Sequence, residues 1–198
     1  MASLHGALRR ALLPLFLFLS SLSVAEQGTV RIGQSLPLSG PLAELGSEYR
    51  DGALAYFKAI NAKGGVHGRR IELVTHDDVY VVDRTIENTR TLLDQDNVLA
   101  LLGMFGTANY AAVLPLINER SVPSLAPYTG SDGLRAQNSP TTFWMRASYG
   151  DETERIVDQL TTLGINRIAV FYQDDAFGKA GLAGVEAALA KRKLRVLA

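Results

Sequence analysis

The chain of 198 residues contains no cysteine. This absence excludes disulfide bonds, thiol catalysis and a lipid-modified cysteine behind an export signal. The formal net charge is zero, and the only basic run, at residues 191–193, is explained by a solvated helix end. An extended basic surface is missing, so nucleic acid is not expected as a partner.

Signatures of catalysis and nucleotide binding are missing as well. Gly103 and Gly106 form G-x-x-G rather than G-x-G-x-x-G, and the sequence contains neither a P-loop nor a G-x-S-x-G nucleophile turn. His67 lies in a predicted glycine-rich turn without the partners of a catalytic triad. We therefore predict no enzymatic activity and no cofactor.

The first 25 residues differ in composition from the rest of the chain. Arg9 and Arg10 precede the apolar run 11–22, and small residues follow at 23–25, which is the order of a secretory signal peptide cleaved before Glu26. The run has 12 residues, fewer than the roughly 20 that span a bilayer. Cleavage would remove two of the 20 basic residues and none of the 20 acidic ones, leaving a formal charge of −2. We expect a soluble protein exported to the periplasm.

The following residues alternate short apolar strands with amphipathic helices. The patterns predict strands at 29–36, 70–77, 98–102, 124–126 and 142–146, and helices at 47–62, at 83–93 with Asp83 as its cap, and from 107 to a stop or kink at Pro115. Because the run 98–102 is wholly apolar, we expect it to be buried on both faces. The order predicts an α/β fold, a doubly wound parallel sheet of five strands in a first lobe at residues 26–147.

A second α/β lobe is predicted to start at residue 148 and to continue to residue 198. Asp151 and Glu154 have the spacing of a capping box at the start of its first helix. Beyond that helix the patterns predict a strand at 167–172, a helix at 176–190 and a strand at 194–197. We expect this lobe to be incomplete, with apolar surface exposed where further strands would pack.

Three loops with small and hydroxyl residues, 37–45, 103–109 and 127–132, follow predicted strands. They should meet at one edge, because the carboxyl ends of parallel strands lie together. The hydroxyl and N–H of Thr107, at the start of a helix, can bind a carboxylate. The alternative is that all three are ordinary strand-to-helix turns, which use the same residues.

Two further groups of residues leave alternatives open. Phe177 either closes over an apolar ligand or packs beneath its own helix. His76 and Asp78 share one face of a strand, which suits a metal, but no other histidine supports such a site. We favour Asp77 and Asp78 as caps at the end of the strand, and predict no metal.

Five segments in this order resemble the periplasmic branched-chain amino acid binding proteins, which are type I solute-binding receptors of ATP-binding-cassette importers. The segments are GQSLPLSGPLAELG (33–46), AINAKGGVHGRRIELVTHDD (59–78), ALLGMFGT (100–107), VPSLAP (122–127) and YQDDAFG (172–178). The resemblance implies the type I periplasmic-binding-protein fold, in which two lobes hold an amino acid by its carboxylate and ammonium groups.

The resemblance also assigns roles to residues. The loop at Gly106 and Thr107 would contact the carboxylate through the hydroxyl and amide groups of Thr107, and Phe177 would cover the ligand from the second lobe. The loop 127–131 would supply carbonyl and hydroxyl contacts, but the hydroxyl position of the family aligns with Gly130. Either of its neighbours, Thr129 or Ser131, is a candidate to replace that hydroxyl. Tyr128 adds bulk that the leucine binders lack, which points to a different ligand, such as an aromatic or smaller acid.

The resemblance further implies an acidic residue in the second lobe that pairs with the ammonium of the ligand, and the matching region is absent from this sequence. Our leading interpretation is the periplasmic substrate-binding component of an importer, with an amino acid or small carboxylate as ligand and ABC permease membrane subunits as partners. One alternative is a ligand-sensing regulator of the same fold, which the export segment disfavours. Another is an exported α/β enzyme, for which no nucleophile or metal group is evident.

Overall fold

A computed structural model describes residues 28–197 of the chain, so the predicted signal peptide lies outside the described residues. Five parallel strands form one sheet in the order β2-β1-β3-β4-β5. They are β1 (Val30–Leu36), β2 (Ile71–Asp77), β3 (Ala100–Leu102), β4 (Ser124–Leu125) and β5 (Thr142–Phe143). The predicted five-stranded parallel sheet is confirmed. The order reverses beside β1, which places a crevice at the carboxyl ends of β1 and β3.

Helices connect the strands and continue beyond them. They are α1 (Ala43–Ala62), α2 (Val82–Asp94), α3 (Thr107–Glu119), α4 (Asp132–Arg135), α5 (Tyr149–Thr162) and α6 (Ala176–Lys191). Helix α1 begins four residues earlier than predicted, directly after the turn at Gly40 and Pro41. Asp83 lies in the first turn of α2 and does not cap it, because the carbonyl of Val81 already opens the helix by accepting from Thr85 N at 3.1 Å.

The main core lies between the sheet and the pair α2 and α3. Its buried side chains include Leu92, Leu101, Met104, Tyr110, Val113 and Ile117. The opposite face of the sheet is open beside α1: Leu99 is 62% exposed, Phe143 51% and Met145 79%. The predicted burial of residues 98–102 on both faces is therefore wrong, because no helix covers the outer face of β3 in the described part of the chain.

Pro115 does not end α3, which continues to Glu119. The proline removes one backbone donor, but it lies exposed on the solvent side, where Ala111 is exposed too. The carbonyl of Ala111 can therefore be hydrated instead of accepting from position 115. Val113 and Ile117 are fully buried on the other side and hold the helix against the core on both sides of the proline.

The second unit contains α5 and α6, which pack against each other around Val157, Ala188 and Leu189. The capping box lies three residues before the predicted one: Ser148 Oγ accepts from Asp151 N at 3.1 Å, and Asp151 Oδ2 accepts from Ser148 N at 3.2 Å. The prediction of Asp151 with Glu154 is wrong because residues 149 and 150 are already helical. Glu154 instead forms ion pairs with Lys191 and Arg192 at the end of α6.

The strands predicted at 167–172 and 194–197 are not formed within the described residues. A strand needs a ladder of hydrogen bonds to a neighbour, whereas Leu197 N to Ile168 O, at 2.9 Å, is the single backbone bond between these segments. Their apolar side chains still pack on the α5–α6 core. The helix predicted between them is confirmed, with the carboxylate of Asp175 accepting from the first N–H groups of α6.

Helix α1 is fixed at both of its ends. At its start, Gly46 is buried against the loop after β1, where a Cβ atom would come within 2.0 Å of Pro37 O. At its end, the Asn61 side chain forms two hydrogen bonds of 2.8 Å with the backbone of Ile71 in β2. The predicted stop follows at Gly64, with φ of 99°.

Gly46→Ala should lower the free energy of unfolding by about 1–3 kcal/mol, because its methyl group must displace the backbone at Pro37. Gly52→Ala in the same helix is the matched control. Gly52 is exposed with nothing within 4 Å of a Cβ atom, so this change should raise stability by about 0.5–1 kcal/mol. Urea denaturation of both variants measures the difference, and equal effects would contradict the close approach.

Candidate functional site

Three loops meet at the carboxyl edge of the sheet, as the sequence predicts. Tyr128 N donates to Met104 O at 2.8 Å, and Gly106 N donates to Tyr128 O at 3.3 Å, so the loops after β3 and β4 are joined. In the loop after β1, Leu38 N donates to Asp77 Oδ1 at 2.8 Å. Together with α5 and α6, these loops border a cavity of about 430 Å³.

Helix α3 begins at this cavity with Thr107. Gly106 caps the helix with φ of 95°, and a side chain there would come within 2.6 Å of the Tyr80 ring. The hydroxyl of Thr107 is buried, 2.7 Å from Thr129 Oγ1 and 3.4 Å from the hydroxyl of Tyr149. The first N–H groups of a helix have no partner within it and carry the positive end of its dipole. The cavity therefore has an electropositive end.

Asp77 caps the loops that follow β1 and β2. It accepts from the backbone N–H groups of Leu38 and Val79, at 2.8 and 2.9 Å, and from the hydroxyl of Ser39 at 2.5 Å. Burial acts to raise the pKa of Asp77, but these hydrogen bonds outweigh it and lower the pKa. The prediction that this carboxylate is a strand-end cap is confirmed.

Asp78 is fully buried behind the cavity. Its carboxylate accepts from Ser35 Oγ at 2.8 Å, from Tyr80 N at 2.9 Å and from Thr85 Oγ1 at 3.0 Å. Burial raises the pKa of Asp78, although these hydrogen bonds act in the opposite direction. Asn109 of α3 donates to Thr85 Oγ1 at 2.7 Å, so the same network reaches the helix that carries Thr107.

The turn after β2 directs an aromatic ring at the cavity. Val79 and Tyr80 both have positive φ, 52° and 61°, which is unfavourable for a β-branched residue. The carboxylates of Asp77 and Asp78 accept from their N–H groups and so stabilise this turn. The Tyr80 ring consequently packs edge-on against Phe105, with the ring centroids 6.0 Å apart.

Aromatic side chains form much of the cavity wall. Phe105 and Tyr128 are stacked with centroids 4.6 Å apart and planes 12° apart, and Tyr49 packs edge-on against Tyr128 at 5.2 Å. From the other unit, Tyr149 and Phe177 meet edge-on at 5.5 Å. Rings from both units therefore border one space.

Arg146 is the cation of the site. Its Nη2 lies 2.5 Å from Glu152 Oε1, and its guanidinium lies 5.6 Å from the ring centroid of Tyr128 and 5.5 Å from that of Tyr149. Burial acts to lower the pKa of Arg146, but the hydrogen bond and the charge of Glu152 outweigh it and raise the pKa. Both side chains border the cavity.

The candidate residues from the sequence divide into two groups. Gly106, Thr107, Tyr128 and Phe177 line the cavity. Thr129, Gly130 and Ser131 are buried behind it. Thr129 bonds to Thr107, Ser131 Oγ caps α4 by accepting from Leu134 N at 3.4 Å, and a Cβ atom at Gly130 would come within 2.7 Å of the Tyr149 ring. Ligand contact by any of the seven stays a prediction.

Several lining residues are not evident from the sequence. They are Tyr80, Arg146, Tyr149, Glu152, Thr153 and Gly181, whereas Leu42, Leu45 and Phe105 lie in the predicted loops 37–45 and 103–109 and Gln173 lies in the segment 172–178. Arg146 carried the clearest signal, because it ends the segment TFWMR and the carboxyl end of a parallel strand lies at the ligand edge. Tyr80 carried none, because its position depends on two left-handed residues in a row.

The metal hypothesis for His76 and Asp78 finds no support in the geometry. His76 Nε2 lies 2.8 Å from Asp96 Oδ2, while Asp78 is engaged in its own network. Between residues 28 and 197, no group of three or more potential metal-ligating side chains occurs. None of the helices in the same range combines the length and apolar character of a membrane span.

The geometry is that of an α/β protein with a cleft at the carboxyl edge of its sheet, and the comparisons with known proteins agree. The profile of the family described as periplasmic binding protein matches residues 29–198. Leu/Ile/Val-binding protein homolog 7 of Brucella abortus (strain 2308) is 30% identical over 158 residues, which cover 75% of this chain and 39% of that protein.

Two solved structures are similar as well. A possible leucine/isoleucine/valine-binding protein from Rhodopirellula baltica SH 1 is 34% identical with a TM-score of 0.81, and the match covers 87% of this chain and 47% of that one. A substrate-binding periplasmic protein from Ralstonia solanacearum is 37% identical with a TM-score of 0.81, covering 84% and 47%.

The chain belongs to the periplasmic binding protein family. The predicted type I periplasmic-binding-protein fold and the resemblance to the branched-chain amino acid binding proteins are confirmed by these matches. The relatives are described as binding proteins, in agreement with the prediction that the protein is not an enzyme. The chain spans less than half the length of these relatives.

Alkaline pH should destabilise the fold through its buried phenols. Burial raises the pKa of Tyr49, Tyr80 and Tyr110 above the ordinary value of 10.0. The unfolded chain releases these protons at lower pH than the folded chain does. The stability that they contribute is therefore complete below the unfolded pKa and is lost as the pH rises above it. Urea midpoints should fall as the pH rises above about 10.

Tyr110→Phe provides the check on this cause. The phenol of Tyr110 donates to Ser124 Oγ at 3.0 Å and lies 2.8 Å from Thr142 Oγ1, so its loss should cost about 1 kcal/mol at neutral pH. The variant should also show a shallower alkaline decline, because one of the three phenols is gone. An unchanged slope would show that the phenol of Tyr110 does not contribute to the decline.

Proposed function

We propose that the protein is the solute-binding component of an ATP-binding-cassette importer and that it binds an amino acid or related small carboxylate. The observation that carries the proposal is the 430 Å³ cavity, with the start of α3 at Thr107 on one side and Phe177 of α6 on the other. The family membership and the names of the Leu/Ile/Val-binding relatives support the same class of ligand.

The start of α3 is the expected anchor for the carboxylate. Its first N–H groups and dipole favour an anion, and Thr107 lines the cavity there. The hydroxyl of Thr107 is held by Thr129 Oγ1 and the hydroxyl of Tyr149. It is thus oriented before a ligand arrives, which reduces the entropic cost of binding.

The second unit would cover the bound ligand. Phe177 is 43% exposed and meets Tyr149 at the cavity rather than packing beneath its own helix. Glu152 of α5 also borders the cavity, beside Arg146. Its carboxylate is therefore the candidate partner for the ammonium group of a ligand. Both ends of an amino acid would then find a partner.

Export and delivery complete the proposal. The order of basic, apolar and small residues in the first 25 positions favours secretion to the periplasm. A receptor there would pass its ligand to the membrane subunits of the importer, which we propose as its partners together with the ligand.

Thermal unfolding with leucine, isoleucine, valine, phenylalanine and glutamate at millimolar concentration tests the proposal. A ligand present at about 100 times its Kd adds about 2.7 kcal/mol of stability, which is an easily measured shift. We expect a shift with at least one apolar amino acid. Cooperative unfolding with no shift from any of the five would contradict the proposal.

Variants locate the binding site. Thr107→Ala should abolish the shift, whereas Thr107→Ser keeps the hydroxyl and should retain it. Thr161→Ala is the matched control, because the hydroxyl of Thr161 bonds to carbonyl oxygens of its own helix, at 2.8 Å from Val157 O, away from the cavity. A shift that survives in Thr107→Ala would place the carboxylate elsewhere.

A further inference from the structure

The cavity is better suited to a flat ring than to a branched aliphatic group. Five aromatic rings make up most of its apolar lining. Among the described residues, Leu42 and Leu45 are the only large aliphatic side chains that line it. Leu45 is 44% exposed. An aliphatic ligand side chain would therefore meet mostly ring faces and edges.

One wall is assembled before any ligand binds. Phe105 is 4% exposed, and its ring stacks against one face of the Tyr128 ring. Tyr49 and Tyr80 pack edge-on against this pair. Because each of the four rings packs against at least one other, their side chains lose little rotamer freedom when a ligand binds. Aromatic rings prefer stacked or edge-on contact with further rings.

Arg146 adds a cation to the aromatic walls. It lies within 5.6 Å of the ring centroids of both Tyr128 and Tyr149, so it touches rings of both units. Glu152 is the only hydrogen-bond acceptor that Arg146 reaches among the described residues, and it fixes the guanidinium through one nitrogen. A guanidinium held in this way attracts the face of an aromatic ring but gains nothing comparable from a saturated one.

We infer that the ligand is a carboxylate that carries an aromatic ring, and that Tyr128 and Arg146 select the ring. The inference rests on the proposed function, since the carboxylate is placed at Thr107 and the start of α3. It adds the chemical class of the remainder of the ligand. The relatives named for leucine, isoleucine and valine would then differ from this protein in the group that follows the carboxylate.

Matched ligand pairs test the choice of ring. Calorimetric titration of the purified protein compares L-phenylalanine with L-cyclohexylalanine and 3-phenylpropionate with 3-cyclohexylpropionate, with L-leucine as the aliphatic reference. Within each pair the members are similar in size and differ in aromaticity. We expect the aromatic member of at least one pair to bind about tenfold more tightly than its saturated partner and more tightly than leucine.

Variants assign this preference to the named residues. Tyr128→Phe keeps the ring and should keep the preference. In Tyr128→Leu the aromatic and saturated members of a pair should bind with nearly equal affinity. Arg146→Gln removes the cation and should weaken the aromatic member more than the saturated one. The wild-type comparison needs no variant, so it decides the inference even if Tyr128→Leu fails to fold.

The outcomes separate the two proposals. Leucine binding as tightly as the better aromatic compound, or saturated compounds binding as tightly as their aromatic partners in both pairs, would overturn the inference and leave the proposed function intact. A preference that persists unchanged in folded Tyr128→Leu and in Arg146→Gln would overturn the role of these residues. Binding of none of the five compounds would overturn the inference, and the proposed function would fail with it only if isoleucine, valine and glutamate also give no thermal shift.

Discussion

The arrangement of the site depends on one buried carboxylate. Asp78 lies without exposed surface at the end of β2, and no cation pairs with it in the described part of the chain. Burying such a charge is costly unless hydrogen bonds replace its water. Ser35 of β1, Tyr80 N and Thr85 of α2 replace that water, and Asn109 of α3 extends the network. One hydrogen-bond network centred on Asp78 therefore joins four elements at the edge of the sheet.

The cavity lies between two differently built units. On the sheet side, loops are fixed by buried hydrogen bonds and by stacked rings. On the other side, α5 and α6 have their own small core around Val157 and Leu189, with ion pairs at Glu154 on the surface that contribute little individually. Where the units meet, Gly130 leaves room for the Tyr149 ring, and Tyr149 N donates to Gly130 O at 2.7 Å. The site thus joins a wall of packed loops to a wall formed by two helices.

The open face of the sheet does not disturb this site. Parallel sheets are normally covered on both faces, yet an apolar groove of about 630 Å³ lies beside α1, with Leu99 and Leu125 in its floor. The loops that form the cavity are held by α2 and α3 on the opposite face and by Tyr49 of α1, whose ring packs against Tyr128. Thr107 and Tyr128 are not among the residues that line the groove.

The sequence by itself determined the order of strands and helices, the parallel sheet, the family and the position of the three loops, because apolar periodicity and strand-end residues are local signals. Burial around residue 99, the course of α3 through Pro115 and the absence of ladders at 167–172 and 194–197 depended on which neighbours are present, and only the tertiary structure decided them. The same is true of Tyr80, Arg146 and Glu152. Their side chains meet in the cavity because elements far apart in the sequence pack together, and no local sequence pattern encodes that packing.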